Sequence, residues 1–414
     1  MKRILSDKST APLSLLNNTG VDVYTFDKML PEHLSFLQKA KLDKFGILEA
    51  WVVKGTNTQI NYSTHGIYRY FGKFPAPIAA KLISDYTKPR ELIIDPACGS
   101  GTTGVEALLS GRKSMLYDVN PLSVLISKVK TTNLSEKDLL NSISELKVRF
   151  GRSKVKAFET REIDLDHWFL PETIKQLSRL KAAISREIDS DLQDFLMMVF
   201  ASIIRRVSKA TTQQGRLFLD IETAIEDIWP VFDKSARKAA ERVSSLPKVG
   251  SVKVEQLSLL DETVESGKKA PLVIYHPPYF NAYKYTSINS LEMAWLNFSR
   301  KETRKEEIRE FFKVGKVENA ITYIDDIVQS LNKIRHYTKT DGVVAMMIGD
   351  ALMKGNHVEV TSKIIEKVTH IFEVEKTIVR IPKYTEATWA SSQRRNSADL
   401  GVTMYDFLVI FRAK

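Results

Sequence analysis

Ile93-Ile94-Asp95-Pro96-Ala97-Cys98-Gly99-Ser100-Gly101-Thr102-Thr103-Gly104 is the stretch that decides how this chain is read. An apolar run enters it and reads as a buried strand. Two glycines follow with one residue between them, and then a helix-like segment from Val105 to Leu109. A strand, a glycine turn and a helix place backbone amides where a ligand can approach closely. Glycine has no Cβ to hold the ligand off, and the first amides of a helix have no partner within it.

Outward from this unit the pattern repeats. A helix is predicted over Ile78–Tyr86, strands over Glu91–Asp95 and Lys113–Tyr117, and a helix over Leu122–Lys130. Alternating strands and helices predict an α/β fold with a doubly wound, mostly parallel sheet. From 135 to 249 the rhythm breaks into helices: Glu136–Phe150, Pro171–Glu187, Leu192–Lys209 and Ala224–Leu246. Phe195, Val199, Ile203 and Val207 recur there at helical spacing. This region reads as a helical insertion. Strands resume at Val252–Leu257 and Leu272–Tyr275, followed by a helix-rich stretch over Ile288–Tyr337. A strand at Gly342–Ile348, a helix at Glu359–Lys367 and two closing strands, Phe372–Ile381 and Tyr405–Phe411, end the chain. Residues 1–60 read as an N-terminal extension, with a helix candidate at Glu32–Lys41 and no chemical motif.

Composition narrows the class. The chain has 414 residues, 43% of them hydrophobic and 27% charged, as expected of a globular protein. No apolar run approaches the ~18–20 residues that span a bilayer. Met1 to Lys8 lacks the apolar core of a signal peptide, so a soluble, cytoplasmic protein is expected. The single cysteine, Cys98, excludes an intrachain disulfide and a multi-cysteine metal site, and no metal is expected. A net charge of +11 favours a polyanionic partner.

Two strings now matter together: Asp95-Pro96-x-x-Gly99-Ser100-Gly101-Thr102-Thr103, and Tyr275-His276-Pro277-Pro278-Tyr279 downstream. They resemble the cofactor loop and catalytic motif of the S-adenosylmethionine-dependent DNA amino-methyltransferases, which modify N6 of adenine or N4 of cytosine. His65-Gly66-x-x-x-Tyr70-x-Gly72-Lys73-Phe74-Pro75 looks like a third element of that family. The late strands around Ala345–Asp350 and Tyr405–Arg412 look like its closing hairpin. The resemblance covers about residues 64–134 and 250–414, which would form one catalytic domain of Rossmann-like class I methyltransferase fold. The insertion at 135–249 would be the target-recognition region.

The resemblance implies S-adenosylmethionine as cofactor and double-stranded DNA as partner. Asp95, Pro96, Gly99, Gly101 and Thr102 would cradle the methionine end, helped by Lys73 and Phe74. Asp118 lies about 20 residues after the glycine loop at a strand end, where a carboxylate holds a ribose diol; as a bare loop residue it would instead cap the next helix. Val119 would border the adenine. Glu255, Gln256, Ser258 and Asp261 are open alternatives for reading the adenine edge. His276 and the Pro277 carbonyl would accept hydrogen bonds from the target amino group, with Pro278 shaping the turn and Tyr279 stacking on a flipped base. His276 departs from the family, which places Asp, Asn or Ser there. A neutral imidazole still accepts one hydrogen bond, but a protonated one only donates.

Phe280, Tyr283 and Tyr285 would line a base pocket or belong to the core. Arg205, Arg206 and Lys209 in the insertion, and Arg394 and Arg395 near the end, would contact phosphate or form solvated faces. A site-specific DNA methyltransferase is the leading reading. An RNA base amino-methyltransferase and a non-catalytic binding protein of the same fold are the alternatives. With no nuclease motif in the chain, any restriction endonuclease would be a separate protein.

Overall fold

The computed structural model describes residues 20–25, 47–213, 216–220, 227–258, 267–280, 285–308, 318–353, 356–381 and 406–414. Its strands are β1 (Val21–Thr25), β2 (Ile47–Val53), β3 (Leu92–Asp95), β4 (Lys113–Asp118), β5 (Ala210–Gln213), β6 (Arg216–Leu219) and β7 (Ser251–Gln256). They continue with β8 (Ala270–Tyr275), β9 (Thr338–Gly349), β10 (Ala351–Met353), β11 (Asn356–Val358), β12 (Phe372–Ile381) and β13 (Asp406–Ala413). The helices are α1 (Asn57–Ile60), α2 (Ala76–Tyr86), α3 (Thr102–Leu109), α4 (Pro121–Thr131), α5 (Glu136–Arg152), α6 (Leu165–Trp168) and α7 (Pro171–Ile184). After these come α8 (Ser190–Ile204), α9 (Ile228–Ser244), α10 (Tyr285–Ile288), α11 (Ser290–Trp295), α12 (Arg300–Glu306), α13 (Glu318–Tyr337) and α14 (Val360–Val368).

Nine strands form one sheet in the order β1-β2-β12-β13-β9-β8-β3-β4-β7. β3 pairs in parallel with both β4 and β8, β4 with β7, and β8 with β9. β13 runs antiparallel between β9 and β12. Seven of these strands, β7-β4-β3-β8-β9-β13-β12 with β13 reversed, make the class I methyltransferase sheet with its closing antiparallel hairpin. Residues 21–25 and 47–53, set apart by the sequence as an extension, add two strands at one side of the sheet, with β2 parallel to β12 and β1 at the edge.

Both faces of the sheet are covered. Along β9, Val343, Ala345 and Met347 join α2 residues Ile78, Leu82 and Ile83 in one core. Val344, Met346 and Ile348 join Ile327 and Leu331 of α13 and Ile364 of α14 in another. This is the two-residue period of a strand, with both faces apolar because both are buried. A third core lies in the insertion. Phe195, Val199 and Ile203 of α8 pack there with Leu122 and Ile126 of α4 and Leu291 and Trp295 of α11. The insertion therefore shares its core with the catalytic half.

The insertion is not wholly helical. The predicted helix over 192–209 ends at Ile204, and β5 and β6 form an antiparallel hairpin. Thr211 and Thr212 are β-branched and favour a strand over a helix. The helix predicted from Ala224 begins at Ile228, and the candidate at Glu32–Lys41 lies outside the described residues. Among the described residues, no helix is long and apolar enough to cross a membrane.

Trp295 is fully buried, stacked on Phe158 at 4.8 Å and edge-on to Phe169 at 5.7 Å. Trp295→Ala is expected to cost about 3–5 kcal/mol, the range for a large aromatic lost from a core. Denaturant unfolding measures it.

Candidate functional site

The strand order reverses between β3 and β8, because β4 and β7 extend to one side of β3, and β8 and β9 to the other. A crevice opens outside the carboxyl ends of strands at such a point. β3 ends at Asp95 and β8 at Tyr275, so the glycine loop and the His276-Pro277-Pro278-Tyr279 turn emerge side by side.

The loop is held by its own residues. Asp95 accepts hydrogen bonds from the Thr103 hydroxyl at 2.5 Å and from the Ala97 amide at 3.1 Å, which fastens the strand end to α3. Gly99 and Gly101 have φ of +50° and +74°, and a Cβ on Gly101 would come within 2.8 Å of Ser127. Here the turn and the close approach both require glycine.

Asp118 ends β4. One of its oxygens accepts from the Gly99 amide at 2.8 Å and the other from the Asn120 amide at 2.9 Å. It does not cap α4; Asn120 does so, accepting from the Leu122 amide at 3.0 Å. The Val119 amide supports the carboxylate as well, and with three amides on its two oxygens it keeps a lone pair for a ligand. Burial pushes Asp95 up to about 7 and Asp118 up to about 6.

His276 lies between two rings, edge-on to Phe74 at 5.4 Å and to Tyr279 at 5.3 Å. Burial lowers its pKa to about 4, against the nearby Asp406 carboxylate and with the help of Arg380. Those two residues form a buried ion pair at 2.8 Å between β12 and β13. The imidazole is therefore neutral at ordinary pH and keeps an acceptor nitrogen. The Pro278 carbonyl accepts from Tyr323 at 2.6 Å, which fixes the turn to α13.

A cavity of about 870 Å³, its open mouth included, gathers most of these groups. Lys73, Phe74, Asp95, Pro96, Gly99, Asp118, Val119, His276, Pro278 and Tyr285 all line it. Pro277 and Gly101 do not, and Thr102 lines a neighbouring cavity. Tyr279 packs partly buried with the core that contains Trp51 and Phe74. Lys73 donates to the Asn61 side chain and to the His65 carbonyl. The sequence reading missed Tyr70, Asn120, Glu306 and Glu307 on the wall. Tyr70 stands inside a quoted string and stacks with Tyr285 at 6.0 Å. Glu306 and Glu307 end a charged run that reads as a solvated helix.

The wall suits S-adenosylmethionine. Ser100 Oγ and Asn120 Nδ2 are buried there with no partner among the described residues. The Asp118 carboxylate adds an acceptor and the glycine turn an open backbone. Among the described residues, no cluster of His, Cys, Asp and Glu is arranged to hold a metal. Gln256 donates to the Val119 carbonyl at 3.1 Å, beside the cavity, whereas Glu255 pairs with Lys253 at 2.7 Å.

Arg205 is placed differently from the phosphate contact or solvated face expected of it. Only 14% exposed, it pairs with Glu292 at 2.7 Å and donates to the Ile288 carbonyl at 2.8 Å and to Thr212 at 3.1 Å. Through these internal acceptors Arg205 ties the insertion to the cavity side. Arg206 is exposed and donates to Ser235 at 3.4 Å. Phe280 is buried against Tyr323 in the core. Tyr283, Asp261, Arg394 and Arg395 lie outside the described residues.

Residues 16–128 match a family model described as DNA methylase. The match reaches into the first 60 residues, which the sequence reading left outside the resemblance. Type II methyltransferase M.MvaI of Kocuria varians is 27% identical over 307 residues, 67% of this chain and 67% of that protein. Type II methyltransferase M.BsoBI of Geobacillus stearothermophilus is 27% identical over 330 residues, 69% of this chain and 62% of that protein. A solved rRNA methyltransferase, aviRa from Streptomyces viridochromogenes, covers 87% of this chain and 94% of its own at 10% identity and a TM-score of 0.34, a likeness too slight to carry weight.

Asp118 gives a test of the wall. Above about pH 7 its carboxylate is ionised and accepts hydrogen bonds; below about pH 6 it is protonated. Affinity for S-adenosylmethionine, measured by calorimetry, is expected to fall as pH drops through about 6, with Asp95 on the same wall titrating at about 7. Asp118→Ala weakens binding at all pH values and removes that fall; unchanged affinity would take Asp118 out of the site. Over residues 16–128 the chain matches the DNA methylase family, its sheet is that of the class I methyltransferases, and S-adenosylmethionine is the methyl donor which that family and fold imply.

Proposed function

We propose that this protein methylates the exocyclic amino group of adenine or cytosine at specific sites in double-stranded DNA. The carrying observation is the meeting of two strand ends. The glycine turn after β3 and the His276-Pro277-Pro278 turn after β8 open onto one cavity, beside the Asp118 carboxylate. The DNA methylase match and the two Type II relatives support DNA as the substrate.

Bound S-adenosylmethionine supplies an activated methyl group. The residues of the chain hold and aim. Asp118 accepts from the ribose diol, Val119 flanks the adenine, and the turn at Asp95–Gly101 with Lys73 and Phe74 encloses the methionine end. On the other side, the neutral His276 imidazole and the Pro277 carbonyl accept the two N–H bonds of the target amino group. That arrangement turns the nitrogen lone pair towards the methyl carbon. Bound this way, the cofactor would supply its methyl in line to that nitrogen as the sulfonium C–S bond breaks and the amino group gives up a proton to solvent, and proximity and orientation can contribute about 7–11 kcal/mol where alignment is good. Tyr279 swings against the flipped base, and Tyr70 and Tyr285 line its path.

The insertion at 135–249 reads the target sequence in this proposal. Its β5–β6 hairpin lies against α10, which carries Tyr285 of the cavity wall, and Arg205 ties the two together.

Transfer of labelled methyl to genomic DNA, with bulk RNA in parallel and nucleoside mass spectrometry of both, tests the reading. Methyladenine or methylcytosine in DNA is expected; label in RNA alone would replace DNA as the substrate. Tyr279→Ala is expected to keep cofactor affinity within about twofold and to lose transfer by about 10²-fold or more, given the ~1–3 kcal/mol of a base stack and the misplaced base. His276→Asn keeps an acceptor and is expected to retain activity. Complete loss in a folded variant would mean that the imidazole does something an amide oxygen cannot.

A further inference from the structure

Three polar side chains lie along α4 at helical spacing, and all three are fully buried: Ser123, Ser127 and Lys130. The remainder of the buried face is mostly apolar, with Leu122, Ile126 and Val129. Burying a lysine is costly unless its amine is satisfied, so its partner is informative. Lys130 Nζ donates to the Ser100 carbonyl at 2.5 Å. One turn earlier, Ser127 Oγ donates to the Gly99 carbonyl at 3.1 Å, and Ser123 meets the Tyr70 hydroxyl at 2.9 Å. The helix thus grips successive carbonyls of the glycine turn from behind.

The peptide bond is planar and trans, so an amide N–H points away from the carbonyl of the same unit. With the Gly99 carbonyl drawn to Ser127, the Ser100 N–H is turned away from α4, and Ser100 lines the cavity.

Lys130 also reaches the opposite wall. Its own carbonyl accepts from the Thr64 hydroxyl at 2.8 Å. Next to Thr64, His65 is bonded to Glu106 of α3 at 2.7 Å, and the His65 carbonyl accepts from Lys73 at 3.1 Å. One buried residue is therefore bonded both to the glycine turn and to the segment that carries Lys73 and Phe74.

We infer that Lys130 is a positioning residue that locks these two walls of the cofactor site in register, its amine holding the Ser100 carbonyl while Ser127 turns the Ser100 amide towards the cavity, without touching the cofactor itself. The inference rests on the proposed use of this cavity for S-adenosylmethionine. Three chains test it: wild type, Lys130→Met, which keeps length and loses the donor, and Lys130→Gln, which keeps one. Affinity for S-adenosylmethionine comes from calorimetry, affinity for DNA from fluorescence anisotropy, and kcat and KM from methyl transfer.

Lys130→Met is expected to weaken S-adenosylmethionine binding about tenfold or more, on the scale of leaving one buried carbonyl without its donor. DNA affinity should stay within about twofold, KM for the cofactor should rise more than kcat falls, and Lys130→Gln should recover part of the loss. A folded Lys130→Met with wild-type cofactor affinity, or with cofactor and DNA affinities falling together, overturns the inference. If Lys130→Met does not fold, Ser127→Ala and Lys130→Gln carry the same comparison, and wild-type cofactor affinity in both overturns it. Wild type failing to bind S-adenosylmethionine removes the reading of the cavity and the inference with it.

Discussion

The junction between β3 and α3 is the constraint on which the rest of the site depends. The chain must leave a buried strand, turn within a few residues and enter a helix whose first amides stay open. Asp95 makes this possible by bonding both the Ala97 amide and the Thr103 hydroxyl, so that strand end and helix start share one carboxylate. Two residues with positive φ, Gly99 and Gly101, supply the bend. Once that turn is fixed, β4 delivers Asp118 to the Gly99 amide and β8 delivers His276 alongside. The chemistry assembles there because the winding of the sheet reverses there.

Charge is managed at this site by burial rather than by pairing. Asp95 and Asp118 are both raised by desolvation, and His276 is lowered by it. The Asp95 and Asp118 carboxylates are compensated mainly by backbone amides and a hydroxyl. Arg380 and Asp406, the nearby ion pair on β12 and β13 of the same sheet, act on the imidazole in opposite directions, and burial leaves it uncharged. In the proposed reaction, a neutral acceptor facing an amino group avoids the penalty of desolvating a charge as the cavity closes over a base.

Much of this was legible in the sequence because it is local. The strand–turn–helix around Asp95, the strand-end acid Asp118 and the turn at His276 each announce themselves within a dozen residues, and the structure brings them to one cavity. What the sequence hid is tertiary. Glu306 and Glu307 reach the cavity from a helix that reads as solvent-facing, and Arg205 is held inside by Glu292, 87 residues away. Nothing in the sequence singles out Ser123, Ser127 and Lys130 of α4, because a pattern of apolar residues cannot say which polar ones are buried. The hairpin at 210–219 was lost for a different reason: the helical period of α8 runs up to it, and nothing but two threonines marks the change.

The strand order also has a consequence for how the protein comes into being. β2 lies beside β12, and β3 beside β8, so strands from the first quarter of the chain are completed by partners from its later parts. As the polypeptide leaves the ribosome, the glycine turn is made early, while the strand that flanks it with His276 is still unsynthesised. Contacts of such long sequence separation are slow to form. The unpaired edges of β2 and β3 stay open until late in translation and are then the surfaces most exposed to wrong partners. The α4–α9 region, whose helices follow one another closely, can bury much of its apolar surface against near neighbours while it waits.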